Sequence, residues 1–153
     1  MNINSTRFGA LDVPEDNILK FCDGIPGFPE EKKFAFLSQG EDSPFAFLQS
    51  IANPDLTFVI VEPFSFIKDY TFNLADELVS ELELSNENPP HIFNIVTVRE
   101  TIQNATVNLV APIVVNWHKK IAAQIILEKT SYTTRQPLLP NGLPKQASSQ
   151  GGR

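Results

Sequence analysis

The sequence predicts an all-β fold: a small barrel-like folded sheet with one short amphipathic helix. Three observations carry this reading. Short apolar runs broken by Pro, Gly, Asn and Asp recur about every ten residues, the spacing of strands in a sandwich or barrel. "LTFVIVE" (56–62) and "HIFNIVTV" (91–98) are rich in β-branched and aromatic residues, with no room for a helix before the next turn signal. One segment, "LADELVSELEL" (74–84), has helical periodicity instead.

In chain order, strands are expected near 3–13, 17–22, 32–38, 45–51, 56–62, 91–99, 105–116 and 121–129. "GIPGF" (24–28) is turn chemistry, since two glycines and a proline stand within five residues. Phe64, Phe66 and Phe72 read as core, because phenylalanine in a strand is buried far more often than exposed, and Pro63 ends the preceding strand. If residues 70–74 form a strand, Tyr70, Phe72 and Leu74 share one face and Asp69, Thr71 and Asn73 the other. Leu74, Leu78 and Leu82 stand at i, i+4 and i+8 with Val79 widening the stripe, so the helix is expected to cap an open end of the barrel; partner docking is the alternative. Pro112 in "NLVAPIVVN" lacks the N–H a ladder needs and demands an edge, a bulge or a corner. From Arg135 onward the chain is rich in Pro, Gly, Ser and Gln with little to bury. The expected organisation is therefore one domain over 1–138 and a disordered tail over 139–153.

The composition is globular, 42% apolar and 20% charged, with twelve Phe against one Trp and two Tyr. The chain has 12 Lys+Arg against 18 Asp+Glu, a formal charge of -6. Two of the basic residues, Lys145 and Arg153, lie in the tail beyond Pro140, so the body is more acidic still. Such a body repels a phosphate backbone, and no basic cluster is longer than the pairs Lys32-Lys33 and Lys119-Lys120. Direct nucleic-acid binding is disfavoured; a basic protein partner is compatible. Cys22 is the single cysteine and cannot form an internal disulfide, and no apolar run resembles a signal peptide or membrane span. A cytoplasmic setting without membrane association is expected.

Catalytic chemistry has no visible carrier. His91 and His118 fall on different elements without a ligand partner at metal spacing. There is no Gly-x-Ser-x-Gly elbow, no His-Glu-x-x-His and no phosphate-binding glycine loop. Cys22, between Phe21 and Asp23, lacks a setting that would lower a thiol pKa and reads as a strand-end or small core residue. No catalytic residue, cofactor or metal is expected, and the chain reads as a non-enzyme.

Five segments in order, "RFGALDVPEDNILKF", "GIPGFPEEKKFAFL", "PFAFLQSIANPDLTFVIVEPFSFIKDY", "NLVAPIVVN" and "AAQIILE", closely resemble the bacterial flagellar assembly factor FliW family. The resemblance runs from about Thr6 to Leu138. Its weight rests on Leu48-Gln49-Ser50, on Pro63-Phe64 with Asp69-Tyr70, and on Asn108-Leu109 with Ala111-Pro112.

The resemblance implies a non-enzymatic β-barrel protein of the cytoplasm that works by exchanging protein partners. Members bind flagellin and also CsrA, the RNA-binding translational regulator that represses flagellin synthesis. When flagellin is exported, the freed family member captures the regulator and relieves repression by non-competitive antagonism, binding beside the RNA site. An acidic body suits a basic RNA-binding partner. The resemblance places the regulator on the stretch around the Asp-Tyr pair, here Lys68, Asp69, Tyr70, Thr71, Phe72 and Asn73. Of the aromatics, Tyr70 is the one expected to meet a partner, because its hydroxyl favours an amphipathic boundary. Better-known members have acids where this chain has Thr71 and Asn73, so long-range attraction is reduced at these two positions while hydrogen bonding is retained. Two other classes compete: a small-molecule-binding β-barrel without catalytic activity, which an enclosed cavity would favour, and a hydrolase, which needs His91 or His118 beside a carboxylate and a nucleophile.

Overall fold

The computed structural model describes residues 1–139. In chain order these residues form β1 (Asn2–Ser5), β2 (Gly9–Asp12), β3 (Ile18–Phe21), β4 (Lys33–Ser38), β5 (Phe45–Ser50) and β6 (Thr57–Val61). There follow α1 (Asp76–Glu81), β7 (His91–Thr97), β8 (Thr106–Val107), β9 (Ile113–Asn116), β10 (Ile121–Gln124) and β11 (Gln136–Pro137). Strands β3 to β7 make an antiparallel meander. β7 then pairs with β9, β9 with β10, and β10 returns to β3 in the one parallel pairing of the sheet, through Ile121–Lys20 and Ala122–Phe21. The result is a closed seven-stranded barrel, in keeping with the barrel-like folded sheet the sequence predicts, and closure leaves these seven strands without the free edges that invite aggregation.

The period-2 pattern decides what fills it. Leu19 and Phe21 of β3, Phe34 of β4, Leu48 of β5, Ile60 of β6, Phe93 of β7 and Ile113 and Val115 of β9 form the interior. Phe21 meets Phe34 edge to face at 5.5 Å, and Phe36 meets Trp117 at 4.8 Å. Burying each such side chain stabilises the fold by about 1.5–3 kcal/mol. The small-molecule reading needs an enclosed lumen, and here the lumen is occupied by these rings and aliphatic chains.

The outward-facing residues of the same strands are also apolar in three places, and each is covered by a chain segment. Ala35 on β4 is covered by the β1–β2 hairpin through Ile3 and Val13. The run expected as one strand over 3–13 is this hairpin; Ser5 Oγ accepts the amides of Arg7 and Phe8, and Gly9 takes φ +77°, which together turn the chain. Val114 faces away from its neighbours Ile113 and Val115 and is covered by Leu78 and Leu82 of α1, flanked by Ile92, Ile121 and Ala123. The helix thus covers the outer wall of β7, β9 and β10, not the open end expected from the leucine stripe, because Ile92, Val114, Ile121 and Ala123 make that wall apolar and in need of cover. The third cover lies over Val61, Val96 and Val107 and includes Tyr70, Leu109 and Leu138.

The other departures from the expected elements have local causes. The run 105–116 is two strands, since Asn108 Oδ1 accepts the amides of Val110 and Ala111 and Pro112 carries the chain round a corner from β8 to β9. The ladder of β10 ends at Gln124, where an extension to 129 was expected. The segment from Arg135, expected to have little to bury, is tied down at its start: Gln136–Pro137 pairs with β8, and Leu138 is 2% exposed in the third cover. Leu139 packs beside it. The rest of the expected tail, 140–153, lies outside the described residues. In "GIPGF", Gly24 takes φ +70°, and a Cβ there would stand 2.5 Å from the Pro29 carbonyl oxygen, so only glycine fits the turn.

Candidate functional site

The segment after β6 carries the residues assigned by resemblance to partner binding. It is not a strand over 70–74. A 3-10 turn over Pro63–Ser65 is followed by a tight turn closed by the Tyr70 amide on the Ile67 carbonyl, and then by irregular chain up to α1. The division of side chains expected for a strand is kept all the same: Tyr70, Phe72 and Leu74 are buried or half-buried, and Asp69, Thr71 and Asn73 are exposed.

Tyr70 corrects the expectation most clearly. Its ring is 3% exposed, with Tyr132 edge-on at 4.8 Å and Phe72 at 5.3 Å. Its hydroxyl donates to the Leu109 carbonyl at 2.7 Å and accepts from Asn94 Nδ2 at 3.1 Å. A tyrosine hydroxyl that reaches two partners inside the fold has no need of a boundary, which is why the amphipathic argument misplaces it. Burial pushes its pKa up to about 12, against the opposing effect of the Asn94 hydrogen bond. Asn94 Nδ2 also donates to the Asn108 carbonyl at 2.8 Å, so one buried amide ties β7 to the corner that precedes Pro112. Phe72 is half-buried against the third cover, as is Phe66, whereas Phe64, expected in the core, is 47% exposed. Pro63, expected to end β6, instead opens the 3-10 turn, buried at its N-terminal position.

Lys68, Asp69, Thr71 and Asn73 are exposed. The structure brings them together on one loop whose base is Tyr70, and fixes the loop from a second side. The Thr71 amide donates to Tyr132 Oη at 2.9 Å, and that hydroxyl donates to the Thr71 carbonyl at 3.1 Å. With both backbone groups held, the Thr71 side chain is left to project into water. Sequence reading missed Tyr132, which sits in the polar stretch "KTSYTTR"; its one local signal is a lone aromatic among Thr and Ser.

Beside this loop runs an open groove of about 430 Å³, bounded by Thr71–Ala75 on one side and residues 125–130 on the other. Ile126 on its wall is 57% exposed, the most exposed large apolar side chain among the described residues. A second hollow of about 520 Å³ lies on the outer face of β5 and β6, lined by Phe45, Phe47, Val59 and Ile102, with the Arg7 guanidinium 4.7 Å over the Phe47 ring. Both are on the outside of the barrel.

Catalytic geometry does not assemble from the other residues considered. His91 stands with its ring 6.3 Å from Trp117, and His118 is exposed in the β9–β10 turn. Among the described residues no group of three His, Cys, Asp or Glu is placed to hold a metal. Cys22 is exposed immediately after β3, a strand-end position. No helix among the described residues is long and apolar enough to cross a membrane.

The comparisons with known proteins agree with one another. The FliW protein family model matches residues 2–138. A flagellar assembly factor FliW of Desulfitobacterium hafniense (strain DSM 10664 / DCB-2) is 56% identical over 152 residues, 99% of each chain. One of Bacillus subtilis (strain 168) is 40% identical over 138 residues, covering 90% of this chain and 96% of the relative. A crystal structure of the flagellar assembly factor FliW superimposes with a TM-score of 0.85 at 38% identity, covering 94% of this chain and all of the other. With the barrel, its three covers and the buried Tyr70 corner in place, the chain belongs to the FliW family of flagellar assembly factors.

Proposed function

We propose that this protein is a non-enzymatic, cytoplasmic regulator that binds flagellin and a CsrA-type translational regulator, and that the exposed loop of Lys68, Asp69, Thr71 and Asn73 receives the latter. Capture of the regulator when flagellin is exported relieves repression of flagellin translation, with the contact lying beside the regulator's RNA site. One observation supports the location above others: Tyr70 and Tyr132 pin the loop from beneath and from the side while its four polar side chains stay in water. A preorganised loop binds without the ordering cost that a mobile one incurs. Tyr70 and Phe72, assigned to the same contact, take a different role here: they hold the loop in place. The acidic body favours encounter with a basic RNA-binding protein.

Titration calorimetry with purified flagellin and regulator tests this. Saturable binding to both is expected, and Thr71→Ala with Asn73→Ala weakens binding to the regulator by about ten-fold or more, the effect of losing one or two interfacial hydrogen bonds. Folded protein that binds neither partner sinks the proposal.

A further inference from the structure

The groove between Thr71–Ala75 and residues 125–130 has an open backbone edge. The Ile125 amide donates to the Pro112 carbonyl at 3.0 Å and the Leu127 amide to the Val110 carbonyl at 2.7 Å. Bonds at two-residue spacing are those of an extended chain, in which successive N–H groups point to opposite edges. The amides of Ile126 and Glu128 therefore point away from 110–112, and among the described residues neither has an acceptor. Residues 110–112 do not line the groove, whereas 125–130 do, so the open edge is the groove's wall. On the facing wall the backbone of Thr71 is held by Tyr132, while the amides of Phe72 and Asn73 have no acceptor among the described residues. The floor between offers Phe72, Leu78 and the exposed Ile126.

The charges select the occupant. Glu128 and Lys129 both line the groove, and the exposed acids Asp69, Asp76 and Glu77 lie within two residues of lining residues in sequence, against Lys68. The ion pairs among the described residues are Met1–Asp12 and Lys119–Glu83, so none of these four acids is neutralised.

We infer that the groove takes an extended peptide segment of a protein partner by strand addition along Ile126–Glu128. An apolar side chain of that segment sits against Phe72 and Ile126, and a basic side chain faces the acidic rim. Main-chain hydrogen bonds supply affinity, and the apolar floor with the rim charge supplies selectivity. The inference rests on the reading of residues 68–73 as the regulator-facing loop and specifies how the partner is held there.

The test is amide hydrogen exchange followed by NMR on the full chain, free and with the purified CsrA-type regulator. In the free protein the Ile126 and Glu128 amides exchange faster than those of Ile125 and Leu127. In the complex they slow by about ten-fold or more, as hydrogen-bonded amides do. Ile126→Ser, a surface change that leaves the core intact, weakens the complex by about ten-fold, as loss of one apolar anchor should. A complex that forms while both amides stay fast overturns strand addition and leaves the loop assignment standing. Equal weakening by Ile102→Ser, on the separate hollow, also overturns it. Absence of any complex overturns the underlying reading itself, and the inference with it.

Discussion

The hydroxyl of Tyr132 closes on both backbone polar groups of Thr71, accepting its amide at 2.9 Å and donating to its carbonyl at 3.1 Å, across 61 residues of sequence. Tyr132 also lies edge-on against Tyr70 at 4.8 Å. The chain leading to β11 is therefore a strap over the loop that carries the exposed polar residues. Tyr132→Phe keeps the ring and removes the clip. It should cost about 1 kcal/mol of stability, the net worth of partly exposed hydrogen bonds, measured by urea unfolding. The Thr71 amide should exchange faster, and affinity for the proposed regulator should fall. Unchanged exchange at Thr71 would show that the hydroxyl does not hold the loop.

Tyr70 gives the fold an alkaline limit. Burial favours its neutral phenol and raises its pKa from 10.0 to about 12, so the native state holds this proton more tightly than the unfolded chain. The resulting stability is fully present below pH 10 and is lost as pH rises toward 12. The loss should be about 2 kcal/mol, and most of it should vanish in Tyr70→Phe, whose unfolding free energy is lower at neutral pH but flatter across this window. Parallel pH slopes for the two proteins would contradict the assignment.

Thr71 and Asn73 are neutral and exposed, on a loop flanked in sequence by the exposed acids Asp69 and Asp76. Thr71→Asp and Asn73→Asp add charge on a loop whose backbone does not depend on those side chains. Association with the proposed basic regulator should accelerate several-fold at low ionic strength and lose the gain in high salt, because screening shortens the reach of the added charge. Stopped-flow measurements at two salt concentrations decide this; a salt-independent effect would point to a local contact instead of steering.

Asn116 joins α1 to the barrel. Its Nδ2 donates to the Leu82 carbonyl at 2.7 Å and the Glu83 carbonyl at 3.2 Å, and its Oδ1 accepts the Lys119 amide at 3.0 Å. The side chain thus satisfies carbonyls at the helix C-terminus that the helix itself cannot. Asn116→Ala leaves buried polar groups unpaired and should destabilise by about 2–3 kcal/mol in thermal or urea unfolding, with α1 amides losing protection first. A cost below about 0.5 kcal/mol, the range of ordinary surface substitutions, would show that solvent replaces the cap freely.

Of the residues that carried the family resemblance, Gln49, Tyr70, Asn108 and Leu109 are internal connectors, whereas Phe64 and Asp69 are exposed. Gln49 is fully buried, accepts the hydroxyls of Ser5 and Thr57, and donates to the carbonyls of Asn53 and Pro54, so it stitches the N-terminal hairpin to β5 and β6. The Leu109 carbonyl receives Tyr70, Asn108 builds the corner before Pro112, and the Pro112 carbonyl receives Ile125. Such motifs are legible in sequence because a buried polar side chain with several fixed partners tolerates few alternatives. They identify the architecture and say little about which surface meets a partner.

By itself the sequence determined the strand-rich, barrel-like class, the alternation of faces over 69–74, the corner at Pro112 and a short helix within 74–84, since each follows from local periodicity or from the missing amide of proline. Only the tertiary structure decided that the leucines of α1 cover an outer wall, that Tyr70 is buried while Phe64 is not, and that Leu138 belongs to a core. The physical reason is that these outcomes depend on partners distant in sequence. Val114, Asn94 with Leu109, and Val61 with Val107 create the vacancies those side chains fill, and no local pattern records which vacancy a turn will bring within reach.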